Sequence, residues 1–203
     1  MNCLIDLHYL PCVAYFSCLS KFQSIVIEKH EHYEKQTYRN RCHINTANGL
    51  EKLIVPITAK HGKILITDVR IDYTQKWLTN HWRAIESAYR KAPFFEHYQD
   101  DLHKTLFEKP VFLYDLNFEL LTMCLNWLHI SVNLTESTSY EKVPNSGAED
   151  LRNKISAKKT DRDVSYYVES PYQQVFGKTF VSNLSLIDLI FCEGPNAMKW
   201  VSA

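Results

Sequence analysis

Residues 3–28 read Cys3-Leu-Ile-Asp-Leu-His-Tyr-Leu10, then Pro11-Cys-Val-Ala-Tyr-Phe-Ser-Cys-Leu-Ser-Lys-Phe22, then, after Gln23, Ser24-Ile-Val-Ile-Glu28. The outer runs are short and apolar, and the second is rich in β-branched side chains, so both predict strands. Between them Pro11 stands where a helix tolerates it, at the first turn, and Val13, Phe16 and Leu19 recur at helical spacing. A strand, a helix and a strand in this order predict a right-handed parallel β-α-β unit.

Farther along, residues 50–57 and 64–71 read as two strands flanking the turn-like His61-Gly62-Lys63, and predict a hairpin. The sheet is then mixed. From Trp77 to Tyr89, Trp77, His81, Ala84, Ile85, Ala88 and Tyr89 share one face opposite Asn80, Arg83, Glu86 and Arg90, as an amphipathic helix requires. A second helix is expected over Phe94 to Phe107 and a more apolar core helix over Val111 to His129. Residues 131–135 suit a further strand. Asn183 to Phe191, followed by Gly194-Pro195, reads as a short helix with a polar cap and a glycine stop. Residues 138–171 combine turn chemistry at Pro144-Asn145-Ser146-Gly147 with dense charge, and predict a mobile surface excursion with little part in the core. The expected architecture is α/β: a single domain over 1–203, with a mixed sheet and packed helices.

The composition bounds the function. With 203 residues, 45% hydrophobic and 23% charged, the chain is long enough for a substantial core. Its 23 basic residues balance 23 acidic ones, which disfavours nucleic acid or anionic lipid as a partner drawn by a global field. No run spans a membrane, because Asp115, Asn117, Glu119, Asn126 and His129 interrupt the most apolar stretch. The start, Met1-Asn2-Cys3-Leu4, lacks the basic segment of a signal peptide, and a cytoplasmic location is expected. Six dispersed cysteines without a CxxC pair predict free thiols.

Candidate chemistry concentrates in residues 28–43, directly after the second strand. Lys35, Arg39 and His43 are spaced by four and share a face in either a helix or a strand. Such donors suit a phosphate or carboxylate, with Arg39 able to bind two oxygens and Tyr33 or Tyr38 offering a face to a ring. The competing reading is a solvated charged face paired with Glu28, Glu31 and Glu34. Glu28, His30 and His32 alternate, the spacing of a His-x-His metal pair on a strand, but no third diagnostic ligand follows, so no metal or other cofactor is assigned. Cys42, flanked by Arg41 and His43, is either an activated nucleophile or a bystander. His8-Tyr9-Leu10-Pro11 lies at the first strand-to-helix corner, where α/β proteins offer backbone N–H groups to anions or simply pack a turn. His81, Gln174 and Asn183 read as packed or backbone-satisfying residues.

Several segments resemble the WbqC-like family: Tyr9-Leu-Pro11 with Tyr15-Phe16; Tyr33, Lys35 and Tyr38-Arg-Asn-Arg41; Asn48-Gly49 leading to Val55-Pro56; Tyr89 and Ala92-Pro93-Phe94-Phe95; Tyr172-Gln-Gln-Val-Phe176; and Asn183 to Leu189 with Glu193-Gly-Pro195. The resemblance covers roughly 4–136 and 171–198, and omits the charged stretch between. It implies surface-polysaccharide (O-antigen) biosynthesis, with transfer of a glycyl or other acyl group onto a sugar. On this reading His8, Tyr33, Lys35, Tyr38, Arg39, Asn40 and Arg41 bind a phosphate-bearing or sugar substrate, and His43 or His30 is the base. The alternative is an accessory protein of the same pathway that presents Trp82, Tyr89 and Phe94-Phe95 to a partner protein.

Overall fold

In the computed structural model, which describes residues 1–58, 62–144, 147–157 and 166–202, β1 (Asn2–Ile5), α1 (Val13–Leu19) and β2 (Ser24–Ile27) form the expected parallel unit. Asn2 stands opposite Ser24 and Ile5 opposite Ile27. Cys3, Ile5, Ile25 and Ile27 fill one face of the sheet and are fully buried. All residues of α1 are buried, which explains why Val13, Phe16 and Leu19 are joined by equally apolar neighbours instead of a polar face.

After β2 the chain makes a 3-10 turn, Tyr38–Asn40, and enters an antiparallel hairpin of β3 (Arg41–Thr46) and β4 (Gly49–Ile54). This corrects the expected pairing of 50–57 with 64–71. The turn is Asn48-Gly49, where Gly49 has φ 96, the left-handed region that hairpin turns require. Residues 64–71 are no strand because their buried apolar positions, Ile66, Val69 and Ile71, break strict alternation. A 3-10 turn at Ile66–Asp68 absorbs the odd step, and only single bridges join Leu65 to His32 and Ile71 to Ile57.

Helices α2 (Trp77–Tyr89), α3 (Phe95–Phe107) and α4 (Leu113–Trp127) follow close to expectation. Strand β5 (Asn133–Glu136) then adds in parallel to β2, and β6 (Glu149–Asp150) in parallel to β1, giving the order β5-β2-β1-β6. Part of 138–171 is therefore taken into the fold: β6 is the edge strand of the sheet, and Leu151 and Ile155 are buried in the core. Residues 145–146 and 158–165 of that stretch lie outside the described residues.

The chain closes with α5 (Leu186–Glu193) and α6 (Met198–Val201), both packed on α1. Gly194 ends α5 with φ 53, and a Cβ there would sit 2.5 Å from the Phe94 ring, so the close approach of α5 to the start of α3 requires glycine. The aromatic residues expected to face a partner do not form an exposed patch. Tyr89 and Phe95 are buried, and Trp82 and Phe94 are half-buried; Trp82 lies edge-on to His103.

Candidate functional site

Parallel sheets present their functional residues beyond the carboxyl ends of the strands. Here β1 and β2 each end in a buried carboxylate, Asp6 after Ile5 and Glu28 after Ile27. Two arginines meet them. Arg39, delivered by the 3-10 turn before β3, pairs with Asp6 (Nη2 to Oδ2, 3.1 Å) and donates two parallel bonds to Glu31 (2.7 and 2.6 Å). Arg152, just past β6, pairs with Glu28 (2.9 Å) and Asp150 (2.8 Å). Asn153 ties the two halves together: its backbone N–H donates to Asp6 (2.9 Å) and its side-chain oxygen accepts from Arg39 (2.9 Å). It holds φ 58, a left-handed conformation that asparagine tolerates better than most residues.

The electrostatics sort these groups. Burial opposes ionisation of Asp6, yet Arg39, His8 and the Asn153 N–H together hold its carboxyl well below the usual range. Burial likewise works against the charge on Arg39, and Asp6 and Glu31 more than compensate, so the guanidinium stays protonated. Burial pushes Glu31 up to about 7; the bonds from Arg39 offset this only in part, and Asp6 and Glu28 add repulsion. Burial thus moves the Glu31 carboxyl up toward the neutral range, the direction that suits a general acid or base.

His8 lies beside Asp6, with Nε2 at 3.0 Å from Oδ2. Since Asp6 is ionised, its Oδ2 accepts from Nε2–H, while Nδ1 is buried with no hydrogen-bond partner among the described residues. The Tyr38 ring packs on His8 at 5.4 Å, and His43 packs on Tyr38 at 5.7 Å. His8 and Arg39 thus contact Asp6 directly, and ring contacts link Tyr38 and then His43 to His8. At the corner after β1 three N–H groups are committed within the fold: Tyr9 N donates to Tyr38 O, Val13 N to Leu184 O and Ala14 N to Asn183 Oδ1.

Lys35, Tyr33 and Arg41 come together elsewhere. They line a cavity of about 300 Å³ with Gln36, Ile57, Thr58, Gly62 and Ile64. Lys35 is exposed whereas Arg39 is buried, so the four-residue spacing does not put Lys35, Arg39 and His43 on one face; the turn at residues 35–37 and the 3-10 turn interrupt any single period. Asn40 is structural, donating to Val55 O and accepting from Arg41. A second cleft of about 640 Å³, lined by Glu31, His32, Tyr33, Glu34, Asp150, Arg152, Asn153 and Tyr140 among others, opens directly over the ion-pair network. The two cavities share Tyr33.

His30 stands apart, beside a groove along β5, with Nε2 lacking a hydrogen-bond partner among the described residues. Cys42 points into the core, because alternation along β3 sends Arg41 and His43 to the other face, and burial raises its thiol, which removes the activated-nucleophile reading. Glu28 is committed to Arg152, the Ser137 hydroxyl and the His30 N–H. Among the described residues no cluster of three or more His, Cys, Asp or Glu side chains is arranged to hold a metal ion.

Sequence reasoning missed Asp6, Arg152 and Asn153 as site residues, reached Glu28 only as an alternating metal ligand, and reached Glu31 only as a counter-ion of a charged face. The available signal was position: Asp6 and Glu28 each directly follow a short apolar run in a predicted parallel unit. Nothing local marks Arg152, whose partners are distant in the chain.

An uncharacterized protein of Mycobacterium tuberculosis (strain ATCC 25618 / H37Rv), Rv1507c, is 34% identical over 142 residues, which is 68% of this chain and 60% of that protein's length. No solved structure matches. The family match extends over residues 7–165 and 143–200, and so includes the charged stretch that the sequence resemblance left out and that supplies Asp150, Arg152 and Asn153. With nearly the whole described site inside the matched region, the chain belongs to the WbqC-like protein family.

Proposed function

We propose that the protein is a group-transfer enzyme of surface-polysaccharide biosynthesis, moving a glycyl or other acyl group from an activated donor onto a sugar in the cleft above Arg39 and Arg152. The observation that supports this reading is Glu31: a carboxyl poised at about 7, braced by a buried arginine and facing a cleft of about 640 Å³ at the carboxyl ends of β2 and β6. Ionised Glu31 accepts the proton of the sugar hydroxyl as that oxygen attacks the acyl carbon. The donor's leaving group departs with its electron pair, and the proton returns to solvent. Arg39 holds both Glu31 oxygens in place, so the base is oriented before substrate arrives. Asp6 and His8 keep that arginine fixed from behind.

Incubating the protein with acyl donors and nucleotide sugars, and reading products by mass spectrometry, tests the proposal. The expected result is an acylated sugar whose rate of formation rises with pH through about 7, where Glu31 ionises. Glu31→Gln is expected to lower the rate ~100-fold or more, within the range for loss of a general base. Turnover by Glu31→Gln equal to the parent, or no transfer across the panel, contradicts the reading.

A further inference from the structure

The neighbouring cavity differs in chemistry from the cleft over Glu31. Among the described residues its charged lining is Lys35 and Arg41, with no carboxylate, whereas the larger cleft mixes acids and bases: Glu31, Glu34 and Asp150 against Lys63, Lys142 and Arg152. Among the described residues neither Lys35 nor Arg41 forms an ion pair; Arg41 reaches only the Asn40 side-chain oxygen, at 3.4 Å from both Nε and Nη2. Two cations without counter-ions beside one cavity leave a local excess of positive charge on a chain of zero formal net charge. The rest of the described lining is Gln36, Thr58 and Gly62 together with Ile57, Ile64 and the half-buried Tyr33, and these last three offer an apolar and aromatic surface to a ring.

We propose that this cavity is a diphosphate subsite, and that the acceptor sugar enters as a sugar diphosphate, its phosphates on Lys35 and Arg41 and its sugar lying past Tyr33 toward Glu31. The inference rests on the transfer reading and specifies its substrate class. The planar Arg41 guanidinium suits two oxygens at once, and Lys35 adds a mobile point charge that follows the second phosphate. A dianion gains more from the uniformly basic cavity than from the cleft of balanced charge, so the charge distribution orients the ligand. Tyr33, common to both cavities, marks where the sugar crosses from one to the other.

Titration calorimetry of the full chain with UDP-N-acetylglucosamine, inorganic pyrophosphate and N-acetylglucosamine tests this. Both diphosphate compounds are expected to bind, the free sugar at least tenfold more weakly than the nucleotide sugar. Comparison of the two diphosphates shows whether a nucleoside adds affinity. Lys35→Ala and Arg41→Ala are each expected to weaken diphosphate binding by about ten- to hundredfold, as loss of a bond between charged groups does. Glu31→Gln should leave that binding within about twofold of the parent. Diphosphate binding unchanged in both basic variants, or free sugar binding as tightly as the nucleotide sugar, overturns the subsite. Diphosphate binding as expected with no acyl transfer upholds the subsite and fails the transfer reading alone. Acyl transfer that is unaffected in Arg41→Ala and Lys35→Ala fails the subsite and leaves the transfer reading standing.

Discussion

Removing Arg39 leaves Asp6 and Glu31, both buried, without their shared counter-ion. Breaking a buried pair from one side costs about 3–5 kcal/mol, because the stranded charge is left short of compensation in the interior; among the described residues the Asp6 carboxyl keeps only His8 and the Asn153 N–H. Arg39→Ala is therefore expected to lower stability by that order in urea unfolding; a loss below about 1 kcal/mol, the range of exposed pairs, would show that the network is open to water. A residue chosen from sequence as a ligand contact is thus, in its folded place, the brace of another residue. The Glu31 shift also has a stability sign. Between its unfolded value and about 7 the native carboxyl keeps a proton that the unfolded chain has lost, so its contribution falls as pH rises through that window. Glu31→Gln is expected to flatten the decline by up to about 1.4 kcal/mol per pH unit relative to the parent. Equal slopes in the two proteins would mean that Glu31 titrates normally.

At the scale of elements, β6 and its following turn are held to the sheet by Arg152, whose pairing with Glu28 joins residues 124 apart in the chain. Glu28 keeps bonds from Ser137 and His30 N–H when the arginine is lost, so Arg152→Ala is expected to cost about 3 kcal/mol, the lower end for a buried pair. The same variant should be cleaved faster by protease between residues 138 and 157, since β6 is a two-residue edge strand with little else to retain it. Unchanged cleavage there would show that Leu151 and Ile155 anchor the segment alone. The parallel opening was legible because Pro11 and two apolar runs state it locally. The hairpin was misassigned because the apolar content of 64–71 outweighed its broken alternation, while the Asn48-Gly49 turn went unused. The place of β6 was illegible, as two charged residues carry no periodicity and pair only because β1 offers them an edge.

Across the whole molecule, the six cysteines are free and buried. Burial pushes Cys3, Cys18 and Cys192 up to about 12 and raises Cys42 and Cys124 further, so a thiol reagent is expected to react slowly with the native protein. In denaturant without reductant all six should react, and a smaller number would reveal a disulfide. Dispersal along the chain sufficed to predict this, whereas the site did not follow from spacing: its carboxylates and arginines converge from β1, β2, the turn before β3 and the turn after β6, and only the assembled sheet brings them together. The property on which the functional account depends is the neutral-range titration of Glu31, and it is measurable directly. In protein labelled with carbon-13 at glutamate side-chain carboxyls, the Glu31 resonance is the one missing from Glu31→Gln, and its titration is predicted to centre on about 7. A midpoint at the ordinary glutamate value of about 4.3 would contradict the account.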